Sequence, residues 1–365
     1  LRGDENLMTA GDLSGYAIDC DIHPGVPDTD ALLPYMDAYW QDQFVSRGIE
    51  ALELASYPPN APLSCRPDWR PERGRPGSDI AMLRSQALDA FGIRLAICNT
   101  LYGPQVQLSE TMAAAACRAV NEWITREWLD REPRLRSSIV VSGQSPELAA
   151  EEIEHRAADR RFVQVLVLAA NELLLGRRYY WPLYRAAERF GLPIGIHAGT
   201  MYRYAPTPNG WPSHYLHDYA ANSNLFASQL HSLISEGVFG TFPGLKVVLL
   251  ESGVTWLTGF MWRSDKTWRG TRGEVPWLKQ PPSQIVRDHV RLSVQPMDAP
   301  KDAGLLARVL DQLGSEDMLL FSTDYPHWQF DGDDAMPPGL PPNLRRKIMS
   351  DNPLATYPRL REQLS

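Results

Sequence analysis

Residues 162–197, FVQVLVLAANELLLGRRYYWPLYRAAERFGLPIGIH, decide the fold. The stretch opens on Phe162–Leu168, a run dominated by aliphatic and β-branched residues. Such a run reads as a strand buried on both faces, the condition of a parallel strand covered by helices. Trp181–Phe190 then follows an amphipathic helical pattern, and Leu192–His197 is a second short apolar run. Strand, helix, strand is the unit from which parallel α/β folds are built.

The unit recurs along the chain. Further strand-like runs are Tyr16–Ile22, Ile93–Cys98, Arg136–Val141, Lys246–Glu251, Val290–Val294 and Met318–Ser322. Helical patterns fall at Met112–Leu129, Pro146–Arg156 and Leu225–Phe239. Eight strands separated by helices predict a closed (β/α)8 TIM barrel in preference to an open doubly wound sheet. Two connections are long. About seventy residues follow strand 1, including a proline-rich tract at 56–77, and residues 198–245 follow strand 5. Loops of this length usually cover a site, and in barrels the strand-to-helix loops line the active-site face. The expected organisation is a disordered or extended segment at 1–15 and a single barrel domain at 16–365.

Composition narrows the partners. The 365 residues carry a net charge of −8 with 44% hydrophobic and 22% charged residues, an ordinary globular balance. No basic cluster suits nucleic-acid phosphates, so no such partner is expected. No run approaches the ~18 apolar residues of a membrane span. Cys20, Cys65, Cys98 and Cys117 lack CxxC or framework spacing, which fits a reducing cytoplasm.

The chemistry-bearing residues fall at strand ends. Strand 1 closes as Asp19-Cys20-Asp21-Ile22-His23, and its period of two puts Asp19, Asp21 and His23 on one face. Strand 5 ends at His197, and strand 8 runs out through Thr323-Asp324-Tyr325-Pro326-His327. Each has a bland reading: a hydrogen-bonded structural pair, a packed histidine, a turn-initiating aspartate. Their joint placement at carboxyl ends, which a barrel brings to one rim, favours a site for one divalent cation, Zn2+ or Mn2+.

These motifs resemble the amidohydrolase-related family that includes aminocarboxymuconate semialdehyde decarboxylase. The matching pieces are IDCDIHP, PIGIHAGT, LISEGVFGTFPGLKVVLLESGVTWL, MWRSDKTWR, FSTDYPHW and DNPLATYPRL. The resemblance spans Tyr16 to Leu360 and implies a metal-dependent barrel with Asp21, His23, His197 and Asp324 as ligands. Two departures matter. Asp21 stands where the family usually has a His, and Glu251 stands where its decarboxylases carry a catalytic His at the end of strand 6. The resemblance also suggests a homodimer.

A bound cation acidifies water and polarises carbonyls. The expected reaction is therefore hydrolysis of an ester, lactone or amide of a small aromatic or unsaturated acid. Asp324 would act as ligand and base, and Glu251 would carry a proton to the leaving group. Glu251 reads equally well as a buried carboxylate paired with an Arg. Because the strand 6 histidine is missing, non-oxidative decarboxylation of an aromatic or enolic acid is the alternative. A catalytically inactive ligand-binding barrel is the third reading. His327 is expected behind the ligands, where it would touch them without binding the ion. Arg203, Tyr204, Trp211, His214 and His217 in the strand 5 loop are candidates for binding a small organic acid, with packing or solvated roles as the plain alternative.

Overall fold

The computed structural model describes residues 16–52, 65–199, 210–327 and 335–364. The N-terminal segment 1–15 therefore lies outside the described residues, as does residue 203–204 of the strand 5 loop. Eight parallel strands follow one another in chain order around a single sheet. They are β1 (Ala17–Ile22), β2 (Ile93–Cys98), β3 (Leu135–Val140), β4 (Phe162–Leu168), β5 (Ile194–His197), β6 (Val247–Leu250), β7 (Val290–Ser293) and β8 (Leu319–Leu320). Every residue of β1, β4, β5 and β6 is buried, as expected of strands with a filled interior on one face and helices on the other. The architecture is a (β/α)8 TIM barrel.

The seam between β8 and β1 closes beyond the short last strand. Cys20 N–H donates to the Phe321 carbonyl at 2.9 Å, Asp324 N–H to Asp21 at 3.0 Å, and His23 N–H to Tyr325 at 2.7 Å. Asp19 reinforces the seam: its carboxylate accepts from Thr323 N–H at 3.1 Å and from the Thr323 hydroxyl at 2.6 Å. Burial pushes the Asp19 carboxyl up to about 7, against those hydrogen bonds. So of the three acidic or imidazole groups on one face of β1, Asp19 is a closure residue, while Asp21 and His23 point to the rim.

Helices occupy most of the expected positions. Pro146–Arg156 and Trp181–Arg189 are helical, and Glu110–Ile124 continues through a wider-wound turn at Thr125–Leu129. The strand 5 connection holds more helix than the sequence pattern indicates. Its helix runs Tyr215–Ser235 and so takes in residues read as loop.

The connection after β1 has regular structure and rim contacts in its described parts, 23–52 and 65–92. It carries a helix at Ala38–Ser46 and packs on the rim. Gly25 N–H donates to the Gly77 carbonyl and Arg66 N–H to the Pro326 carbonyl, both at 2.9 Å. Gly77 has φ +73°, and a Cβ there would lie 2.5 Å from the His23 carbonyl oxygen, so only glycine permits this approach. The insertion thus buttresses the two loops that carry His23 and His327. All four cysteines are free and buried. Among the described residues no helix is long and apolar enough to cross a membrane.

Candidate metal centre

The carboxyl ends of β1, β5, β6 and β8 deliver their side chains to one small volume. Asp21 and His23 extend from β1, alternate residues on the inward face. His197 is the last residue of β5. Glu251 and Asp324 follow β6 and β8, each in the left-handed region, with φ of +54° and +57°. That conformation is unfavourable for a side-chain-bearing residue, by roughly 1–3 kcal/mol, and persists where the surroundings enforce it. Here it turns both carboxylates inward.

The donor atoms crowd together. His23 Nε2 lies 2.9 Å from Asp324 Oδ1, 3.3 Å from Asp21 Oδ1 and 3.5 Å from Glu251 Oε1. His197 Nε2 lies 3.4 Å from Glu251 Oε1 and 3.7 Å from Asp21 Oδ2. Two overlapping groups could hold a cation: Asp21, His23, His197 and Glu251, and His23, Glu251, Asp324 and His327, each with its donors within 4.8 Å of one another. Spacings near 3 Å suit ligands sharing one ion at ~2.1 Å.

Two features fit these residues to a cation rather than to each other. Asp21 Oδ2, His197 Nε2 and Asp324 Oδ2 are buried without a hydrogen-bond partner. Buried polar atoms are nearly always satisfied, so three orphans in one cluster mark a place for a bound group. In addition, each imidazole donates its Nδ1 proton to a backbone carbonyl, His23 to Asn99 at 2.8 Å and His197 to Ala198. That tautomer turns each Nε2 lone pair toward the centre, where His23 Nε2 meets Asp324 Oδ1 at 2.9 Å.

His327 completes the cluster from the β8 loop. Its Nδ1 lies 2.7 Å from Asp324 Oδ1 and 2.9 Å from Glu251 Oε1, and its ring stacks on His23 at 4.4 Å. Burial works against charge on this ring, but Asp324 and Glu251 overcome it and hold the imidazole well above its usual value. Glu251 is the converse: burial opposes its charge, yet His197 and His327 hold its carboxyl well below the usual range. Burial and the charge of Glu251 push Asp324 well up, and burial brings Asp21 to about 6. Burial and the two neighbouring imidazoles hold His23 low. Among the described residues the charged partners of Glu251 are imidazoles, and none is the Arg of its plain reading.

Trp211, His214 and His217 are exposed at the start of the Tyr215–Ser235 helix, with His214 3.1 Å from the Ser213 hydroxyl. Arg203 and Tyr204 are outside the described residues. His231 rests on Phe260, and His289 bonds the Leu245 carbonyl. Sequence reasoning missed Asn99, whose side chain donates to Asp21 Oδ1 at 2.8 Å. An Asn just past a strand looks like a turn residue, and nothing local distinguishes it.

The sequence profile of the family described as Amidohydrolase (Amidohydro_2) matches residues 18–359. The chain belongs to that amidohydrolase family. Among curated relatives, a gamma-resorcylate decarboxylase of Polaromonas sp. strain JS666 is 26% identical over 280 residues, covering 72% of this chain and 82% of the relative. A second gamma-resorcylate decarboxylase, from Rhodococcus jostii, is 25% identical over 261 residues, 68% of this chain and 78% of its own. Solved amidohydrolase-fold structures agree with the architecture. The 5-carboxyvanillate decarboxylase of Novosphingobium aromaticivorans, complexed with manganese and a nitrobenzoic acid, superposes with a TM-score of 0.69 at 17% identity, covering 97% of this chain and 99% of the other. A dihydroxybenzoic acid decarboxylase from Polaromonas sp. JS666, with bound manganese and 2-nitroresorcinol, gives 0.67 at 22% identity, covering 94% and 96%.

Proposed function

We propose that this amidohydrolase-family enzyme is a metal-dependent, non-oxidative decarboxylase of a hydroxylated aromatic acid. The observation that carries the reading is His327. Hydrolysis was the expectation because the strand 6 histidine is replaced by Glu251; with His327 Nδ1 at 2.7 and 2.9 Å from Asp324 and Glu251, the cluster has an imidazole after all, supplied from β8. The ground for preferring hydrolysis falls away. The relatives, decarboxylases of aromatic acids along most of their length, support the same choice.

In this reading Asp21, His23 and His197 hold the cation with Glu251, and Asp324 reaches it from the second group, which shares His23 and Glu251. Three carboxylates beside two imidazoles favour a hard ion, Mn2+ over Zn2+. Bound there, the cation would supply the positive charge that fixes the substrate carboxylate and a neighbouring hydroxyl. Asp324, as the acid of the reaction, would take up a proton and deliver it to the ring carbon that bears the carboxylate. The bond from that carbon to the carboxylate then breaks, its electron pair returns to the ring, and CO2 leaves. His327, with 28% of its side chain exposed, would pass a replacement proton from solvent to Asp324.

A substrate panel tests this. Mn2+-loaded protein is incubated with 2,6-dihydroxybenzoate and related hydroxybenzoates, and separately with aryl esters and lactones. Release of CO2 with the matching phenol is expected. Hydrolysis of esters or lactones with no CO2 from any acid would overturn the proposal.

A further inference from the structure

Inside the barrel, below the metal centre, polar side chains form a continuous chain. Tyr357, buried near the C-terminus, donates its hydroxyl to Gln164 Oε1 at 2.9 Å. Gln164 Nε2 donates to Asn99 Oδ1 at 3.2 Å and to Ser138 Oγ at 2.8 Å, and the Ser138 hydroxyl donates to the same Asn99 oxygen at 2.6 Å. Asn99 Nδ2 then donates to Asp21 Oδ1 at 2.8 Å. Tyr357, Gln164, Asn99 and Asp21 are all fully buried, from four separate parts of the sequence.

The direction of the chain is fixed by chemistry. An ionised carboxylate only accepts, so Asn99 must turn its amide nitrogen to Asp21 and its oxygen away. That oxygen needs donors, which sets Gln164 with nitrogen toward Asn99 and oxygen toward Tyr357. Space has been kept for the arrangement: a Cβ on Gly195 in β5 would lie 2.5 Å from Gln164 Nε2. Asn99 also accepts from His23 Nδ1 through its carbonyl. One residue at the end of β2 therefore orients both side chains that β1 sends to the centre, leaving Asp21 Oδ2 and His23 Nε2 facing it.

We infer that Asn99 is a positioning residue for the metal centre, and that Ser138, Gln164 and Tyr357 act through it to set metal affinity. The inference rests on the metal-binding part of the proposed function and not on the reaction. Partners behind metal ligands typically change affinity about 10- to 100-fold when lost.

The test is a double-mutant cycle read as Mn2+ dissociation constants by competition with a fluorescent chelator, with far-UV circular dichroism to confirm folding. Asn99→Ala should weaken Mn2+ binding about tenfold or more. Ser138→Ala with Gln164→Met, which leaves Asn99 in place but removes the donors to its oxygen, should weaken it several-fold. Combining all three should cost no more than Asn99→Ala alone, because the inner residues act through Asn99. Full additivity, or an affinity within twofold of wild type in the Ser138/Gln164 variant, would overturn the inference. If Asn99→Ala does not fold, the Ser138/Gln164 variant and Tyr357→Phe decide by the same twofold criterion. Asp21→Asn separates the two readings. Should it bind Mn2+ as tightly as wild type, the ligand set itself is wrong. Should it lose Mn2+ while the inner variants keep it, only the positioning chain fails.

Discussion

Asp324 combines three features that rarely coincide at one residue: a left-handed backbone, a fully buried carboxyl raised above its usual range, and one oxygen without a partner. The first aims the group inward and the third leaves it an open side, as the acid of the proposed reaction needs. Asp324→Asn keeps the shape and loses the acid. The folded state should survive, with its far-UV spectrum unchanged, while turnover falls by about 10²- to 10⁴-fold. Wild-type turnover in that variant would remove Asp324 from the chemistry. In the proposed reaction His327 has the supporting task. His327→Gln should lower turnover less, by about tenfold, while leaving Mn2+ stoichiometry intact, which elemental analysis of the purified variant checks.

At the scale of elements, the strands and their terminal residues were readable because their cause is local. Alternation on β1 presents Asp21 and His23 together, and the apolar runs of β4 and β6 allow little but burial on both faces. Beyond that the pattern fails for identifiable reasons. Glu251 and His327 meet only because two backbone residues adopt positive φ, a conformation that no sequence signal for Glu or Asp announces. Asn99 is informative only once Ser138 and Gln164 are known to lie beside it on β3 and β4. Residues 215–219 read as loop since aromatic and histidine residues lack helical periodicity there, yet they begin a long helix.

The joint between the Glu110–Leu129 helix and β3 shows what holds one unit together. Glu132 accepts from Arg84 Nε at 2.7 Å and from Arg134 Nε at 2.9 Å. Burial opposes its charge, but the two guanidinium groups win and hold the carboxyl down at about 2. A depressed folded value means that the stabilisation is complete above the ordinary value near 4.5 and is lost as pH falls toward 2. Glu132→Gln should therefore be less stable than wild type at pH 7, by about 1 kcal/mol because the arginines are partly exposed. The gap in denaturation midpoint should narrow steadily below pH 4. A gap independent of pH would contradict this account of the joint.

For the whole molecule, the barrel's closing seam and the proposed metal centre are neighbours in space. The β8–β1 seam, with its Asp19–Thr323 bonds, lies directly behind Asp21, His23 and Asp324. Without a cation the rim holds three buried carboxylates and unpartnered atoms in contact, which is unfavourable. A ligand at a hundredfold excess over its dissociation constant stabilises a protein by about 2.7 kcal/mol. Mn2+ should accordingly raise the thermal midpoint by several degrees, and EDTA should reverse the shift. An unchanged midpoint across a Mn2+ titration would count against the centre.

Anomalous diffraction from Mn2+-soaked crystals, collected on both sides of the manganese absorption edge, tests the central claim most directly. The account predicts one strong peak within about 2.1–2.3 Å of side-chain donors of Asp21, His23, His197 and Asp324. A peak elsewhere on the surface, or none at the rim at saturating Mn2+, would contradict it.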